Sequence, residues 1–204
     1  MEVQRRRARR PYGELVRTTL VAGAGVVGAG LYVGAATGRL SLDTGWGRQR
    51  SPLGPQRVDI DAPPNVVFDV IADPYLGTTP RAMSDKVRVL ERGIDMVLAE
   101  HRTPVGWGLT TLTVETVRFE RPKRVDFRLV RGPVPEVVES FVLQSRRDAT
   151  TLEYSGHIAA DMWALGAWWI RIVRPRWEAT VAASLSSIRT EAERRRSAAR
   201  RATS

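Results

Sequence analysis

Hydrophobic and polar residues change step along this chain, and each change marks an element. Val58 and Ile60 alternate with Asp59 and Asp61, the two-residue step of a half-buried strand. Pro63 and Pro64 stop it, since neither can donate to a ladder. Pro64 or Asn65 then opens a helix whose apolar side is Val66, Val67, Val70 and Ile71, with Phe68 beside them; Asp73-Pro74 is expected to end it. The stretch after Pro74, broken by Gly77 and Pro80, reads as a short helix or an irregular lid. Strand-like runs follow at even spacing over 87–90, 96–101, 108–119, 125–129, 137–143 and 152–158, separated by Gly, Pro and Asp turns. With the first strand they predict an antiparallel meander of about seven strands. Leu165, Trp168, Trp169, Ile172, Val173, Trp177, Val181, Leu185 and Ile188 then recur at three- and four-residue steps, a long C-terminal helix. Pro175 predicts a kink or break in it. After Ile188 the stripe fades into a charged, fraying end. The fold class is α+β.

Ahead of the first strand the pattern differs. Residues 18–38 carry no charge, enough to cross a bilayer core as a helix. Six glycines and five alanines make the run only weakly apolar. Gly30, Gly34 and Gly38 fall on one helix face, a small-residue stripe that would admit a partner helix in a membrane. In water the same composition makes a poor helix. Three readings stay open: an uncleaved single-pass anchor, a cleaved export signal with Arg9-Arg10 before its core, or a Gly/Ala linker. For an anchor, the arginines of residues 1–17 favour a cytoplasmic N-terminus with the domain outside. Residues 39–55, rich in Gly, Pro, Ser and Arg, read as a linker without a core. Trp46 within it sits either at a membrane interface or on the domain edge. The organisation is thus a basic segment 1–17, a membrane-spanning helix 18–38, a linker 39–55, a folded domain 56–196 and a basic tail 197–204.

Charge sharpens this outline. Of the net +10, residues 1–17 and 189–204 each hold six Arg and two Glu, +4 apiece, which leaves only +2 between them. Basic ends on a neutral body suit anionic lipid headgroups better than nucleic acid, which is not expected as a partner. They equally suit a plain solubilising role. No cysteine occurs, so disulfides, thiolate metal sites and cysteine nucleophiles are excluded. Two histidines make a His-rich metal site improbable. Neither the phosphate-binding P-loop pattern nor a Gly-rich dinucleotide turn after the first strand is present.

Parity nominates inward residues: Val125, Phe127 and Leu129; Val137, Glu139, Phe141 and Leu143; Leu152, Tyr154 and Ile158. Trp169, Ile172, Val173 and Trp177 offer the matching helix face. Glu139 alone puts a carboxylate on an apolar face, where it must be paired or hold its proton. It either serves a ligand hydroxyl or acid–base step, or a bulge turns it outward. His101 ends a strand beside Glu100 and Arg102, and His157 faces solvent; neither completes a catalytic triad.

Three stretches carry a family resemblance: RVDIDAPPNVVFDVIADP, LVRGPVPEVVESFVLQSRRDATTLEYSGHI and SLSSIRTEAERR. Together they resemble the START-like, or Bet v 1-like, helix-grip superfamily, also labelled polyketide cyclase/dehydrase and lipid transport. The resemblance implies a sheet wrapped around a long C-terminal helix and enclosing an apolar cavity. Phe127, Leu129, Glu139, Phe141, Tyr154, Trp169, Val173 and Trp177 would line it and hold a lipid, quinone or polyketide-like molecule. No cofactor or metal is implied. A membrane-tethered binding or shuttling module is the leading expectation. An aromatase/cyclase-type enzyme using Glu139, Tyr154 or His101 is the alternative, and a filled-core interaction module the third.

Overall fold

The computed structural model describes residues 29–41, 43–77, 86–106 and 108–202. Seven strands form one antiparallel sheet: β1 Gln49–Ile60, β2 Val87–Arg92, β3 Met96–Gly106, β4 Leu109–Glu120, β5 Arg124–Arg131, β6 Glu136–Arg146 and β7 Ala149–Ala160. Their spatial order is β1-β7-β6-β5-β4-β3-β2, so the first strand closes onto the last while the others follow the chain. Two helices described over their full length pack with the sheet, α1 Pro64–Leu76 and α2 Trp163–Ala202. α1 touches β2, the far edge of the sheet, as well as β6, β7 and α2. One helix can reach β2 at one edge of the sheet and β7, next to the other edge, only if the sheet curls around it. This is the expected α+β helix-grip architecture with the expected strand number.

Alternation decides the core. Val125, Phe127 and Leu129 of β5 are buried, as are Val137, Glu139, Phe141 and Leu143 of β6, and Leu152, Tyr154 and Ile158 of β7. Val67, Phe68, Ile71 and Tyr75 of α1 meet them from the helix side, with Ile170, Val181 and Leu185 of α2.

Several boundaries differ from the sequence reading. β1 begins at Gln49, seven residues before the expected domain start at 56, and Leu53 of the expected linker is 1% exposed. Pro52 and Pro55 disguise this strand. They are tolerated because β1 is an edge strand, paired only with β7, and a bulge interrupts the ladder between Leu53 and Gln56. Gly54 at the bulge has φ +72°, and a β-carbon there would lie 2.8 Å from the Tyr154 carbonyl oxygen. α1 runs past Pro74 to Leu76, because a proline forfeits only its own N–H and the Gly77 N–H still reaches the Asp73 carbonyl at 3.0 Å.

Of the kink or break into two helices expected at Pro175, the break does not occur: α2 is assigned as one helix through it. It also stays helical to Ala202, into the expected tail. The charged end is clamped rather than frayed: Arg195 bridges Glu191 at 2.8 Å and Asp73 at 2.5 Å, Arg196 pairs with Asp61, and Ala192 is fully buried. Leu165 and Trp168, expected in the apolar stripe, are 54% and 52% exposed.

Residues 29–36 are helical and end against the domain. The Thr111 hydroxyl donates to the Ala36 carbonyl at 2.6 Å, and the Leu112 N–H to the Thr37 carbonyl at 3.1 Å. Gly38 does not continue a glycine face. It stops the helix with φ +71°, and a β-carbon there would lie 2.3 Å from the Leu112 carbonyl oxygen. The C-terminal end of the expected span 18–38 is therefore domain structure. Residues 18–28, the basic segment 1–17 and most of the expected lid lie outside the described residues. Among those described, no helix is long and apolar enough to cross a membrane.

Candidate functional site

The inward faces of β3, β4, β6 and β7 bring together polar groups that lie far apart in sequence. Glu139 is 6% exposed at the middle of β6. The Tyr154 hydroxyl on β7 donates to its Oε1 at 2.5 Å, and the Trp177 indole N–H on α2 donates to the same oxygen at 2.6 Å. Across the sheet, His101 Nδ1 lies 3.1 Å from the Glu115 carboxylate, and His101 Nε2 lies 3.1 Å from the Tyr75 hydroxyl. Ladder register explains the gathering. His101 on β3 faces Thr113 on β4, two residues from Glu115, and Glu139 faces Phe127 on β5. Thr111 and Thr113 are buried on the same face as Glu115.

Aromatic rings wall this polar line. Phe127 stacks edge-on to Phe141 at 5.4 Å and to Tyr75 at 6.1 Å, and Phe141 meets Tyr154 at 5.3 Å. In such surroundings charge is costly. Burial, reinforced by the Glu115 charge, raises the Glu139 carboxyl to about 7 despite the two hydrogen bonds that favour its ionised form. Burial also raises the Tyr75 and Tyr154 hydroxyls, with help from Glu115 and Glu139 respectively, so both remain donors. For His101 burial opposes charge, but the adjoining Glu115 carboxylate outweighs it and the imidazole titrates above its ordinary value. The site thus combines a carboxyl able to give or take a proton near neutrality with a carboxylate-held imidazole and two phenols.

Of the residues nominated from sequence, Phe127, Leu129, Glu139, Phe141 and Tyr154 are buried on this face. Trp177 is half-buried and bound to Glu139. Trp169 and Val173 are half-buried against the core, and the Trp169 N–H donates to the Pro133 carbonyl at 2.7 Å. Glu139 is turned inward and no bulge interrupts its pairing. His101, read as a strand end, lies inside a strand that runs to Gly106. Glu115 and Tyr75 escaped the sequence reading. The signal for Glu115 was its parity with Val117 and Phe119; for Tyr75 it was hidden by the expectation that α1 ends at Pro74. His157 is held by Glu136 at 2.9 Å on the outer side of β7. Among the described residues no cluster of three or more His, Asp or Glu could hold a metal ion.

Residues 55–193 match the family model described as polyketide cyclase / dehydrase and lipid transport. No curated protein sequence matches significantly. Among solved structures, the fold is similar to an aromatase/cyclase from Streptomyces sp. R1128. That likeness has TM-score 0.58 at 18% identity and covers 72% of this chain and 95% of that one. It is also similar to the di-domain ARO/CYC protein BexL of the BE-7585A biosynthetic pathway, with TM-score 0.58 at 14% identity over 89% of this chain and 59% of that one. Norcoclaurine synthase from Thalictrum flavum, solved with dopamine and hydroxybenzaldehyde, gives TM-score 0.52 at 11% identity over 70% and 85% of the two chains. At such identities these structures share the fold and nothing finer.

Proposed function

The chain belongs to the polyketide cyclase/dehydrase and lipid transport family, and we propose that its domain holds a hydrophobic small molecule between the curled sheet and its helices while tethered at a membrane. The ligand class is a lipid, quinone or polyketide-like molecule carrying at least one hydroxyl or carbonyl. One observation carries the reading: a buried carboxyl, Glu139, is held by Tyr154 and Trp177 on the inward face of the sheet, amid the rings of Phe127, Phe141 and Tyr154. An aromatic wall around a short line of polar groups suits a mostly apolar ligand oriented by a few hydrogen bonds. The tether is the uncharged run of residues 18–28 continuing into the helix of 29–36, with the arginines of 1–17 on the cytoplasmic side. A cleaved export signal is the alternative.

Native mass spectrometry of the full chain, released from detergent, tests the ligand. A reproducible co-purified apolar mass is expected in the wild type and reduced in Glu139→Gln. Consistently ligand-free protein, unaltered by added lipid extract or quinones, would favour a filled core and an interaction role instead.

A second reading has its own support in the pairing of Glu139 with the Glu115–His101–Tyr75 line. A carboxyl that titrates near neutrality and a carboxylate-held imidazole on the same inward face can give and take protons at a bound polyketide-like chain, the acid–base role of an aromatase/cyclase-type enzyme. Turnover by the wild type that is lost in both Glu139→Gln and His101→Ala, with ligand still bound, would favour it. Binding without turnover would leave the carrier role.

A further inference from the structure

Five tryptophans lie within the described residues, and they divide into two kinds. Trp169 and Trp177 turn inward and both indole N–H groups are taken by protein acceptors. Trp46, Trp163 and Trp168 are 74%, 61% and 52% exposed, and their N–H groups have no acceptor among the described residues. The three outward indoles belong to two segments that meet at the start of α2. The Met162 N–H donates to the Trp46 carbonyl at 2.8 Å, and the Trp163 N–H to the Gly47 carbonyl at 3.0 Å. Trp168 lies 6.2 Å from Trp169, which in turn meets Tyr32 edge-on at 5.8 Å. Met162 and Leu165 beside them in sequence are exposed as well.

Presenting these side chains takes backbone strain. Met162 and Trp163 are consecutive non-glycine residues at φ +72° and +46°. The corner persists because it is over-determined. Asp161, 5% exposed, accepts the Thr44 and Gly45 N–H groups at 2.6 and 2.7 Å and the Arg48 guanidinium at 2.8 Å, while Arg48 also binds Glu136 at 3.0 Å. The indole of Trp163 lies where a β-carbon on Gly47 would be. A helix start with ordinary backbone would not need this clamp; the clamp holds Met162 and Trp163 outward.

Two exposed cations lie on the adjoining elements, with no acidic partner among the described residues. Arg171 lies one helical turn beyond Trp168, and Arg39 follows the helix of residues 29–36. The described chain also enters here: residue 29 is preceded by the uncharged run 18–28 and by six arginines in 1–17. Indoles with a free N–H, flexible Met and flanking Arg are the composition that settles at the boundary between headgroups and acyl chains. We infer that this end of the domain is a seat on an anionic bilayer, with Trp46, Trp163 and Trp168 in the headgroup–acyl boundary and Arg39 and Arg171 against lipid phosphates. The seat fixes the orientation of the domain on the membrane and places the start of α2 at the lipid surface. It rests on the tether reading only for the nearness of a bilayer.

The test uses the full chain with vesicles of phosphatidylcholine, with and without phosphatidylglycerol, containing acyl-brominated lipid as a tryptophan quencher. Quenching is expected, stronger with phosphatidylglycerol. It should fall by about half in Leu165→Ser/Trp168→Ser, and again in Trp46→Ser, each with an unchanged circular dichroism spectrum. These positions are exposed and do not pack on Gly47, so the variants fold. Undiminished quenching in both variants overturns the seat. So does absent quenching joined to a monomer–dimer shift of Leu165→Ser/Trp168→Ser in sedimentation, which assigns the patch to a second copy. Carbonate extraction of membranes reads the tether separately: a fully extractable chain ends that reading, while quenching on added vesicles still reports the seat.

Discussion

At Glu139 the protonation state follows from packing. Aromatic burial and the Glu115 charge hold its proton up to about pH 7, while an exposed carboxyl releases it near 4.5. Its contribution to stability is therefore complete below pH 4.5 and declines as pH rises through 7, by up to about 3 kcal/mol. Glu139→Gln keeps an uncharged side chain of the same shape at every pH. Urea midpoints measured across pH 4 to 8 should show the wild type losing stability over this window and the variant losing distinctly less. An identical slope in both proteins would mean that Glu139 does not hold a proton in the fold. The raised His101 acts in the same direction at higher pH, so a residual slope is expected in the variant. The inward position of Glu139 was legible from its alternation with Val137, Phe141 and Leu143. Its partners were not: Trp177 lies on another element, and Tyr154 meets it only because β6 and β7 pair in this register.

Among the elements, the junction of β7 with α2 departs furthest from what composition suggests. Gly166 is buried in the first turns of α2, and a β-carbon there would lie 2.1 Å from the Asp161 carbonyl oxygen. In an exposed helix, replacing Gly by Ala stabilises by about 1 kcal/mol. Here Gly166→Ala forces helix and strand end apart, and a loss of about 1–3 kcal/mol is expected. A thermal melt separates the two signs, and a raised midpoint would contradict the close approach. Strand number, helix order and the long C-terminal helix were all readable from periodicity. β1 was half missed because Pro52, Gly54 and Pro55 imitate a linker, and an edge strand beside a bulge permits them. The end of α2 was missed because Arg195 and Arg196 also find partners on the β1–α1 corner, far away in sequence.

For the molecule as a whole, net charge sits at the two ends of the chain, and the described domain closes on itself with β1 beside β7. If the proposed tether, residues 18–28 continuing into the helix of 29–36, crosses the bilayer with a cytoplasmic N-terminus, a reporter fused after Ser204 should be active only outside the cytoplasm. Cytoplasmic activity would reverse the orientation, and secretion of a shortened product would favour signal cleavage.

By itself the sequence determined the α+β class, the seven-strand meander, the gripping helix and the inward carboxylate. Each of these is written in the local step between apolar residues, which a strand or a helix imposes on its own neighbours. Tertiary structure alone decided that Glu139 meets Tyr154 and Trp177, that His101 joins Glu115 and Tyr75, and that three indoles are held outward at the start of α2. Those pairings depend on strand register and sheet curl, which set distances between residues tens of positions apart, and no local period carries that information.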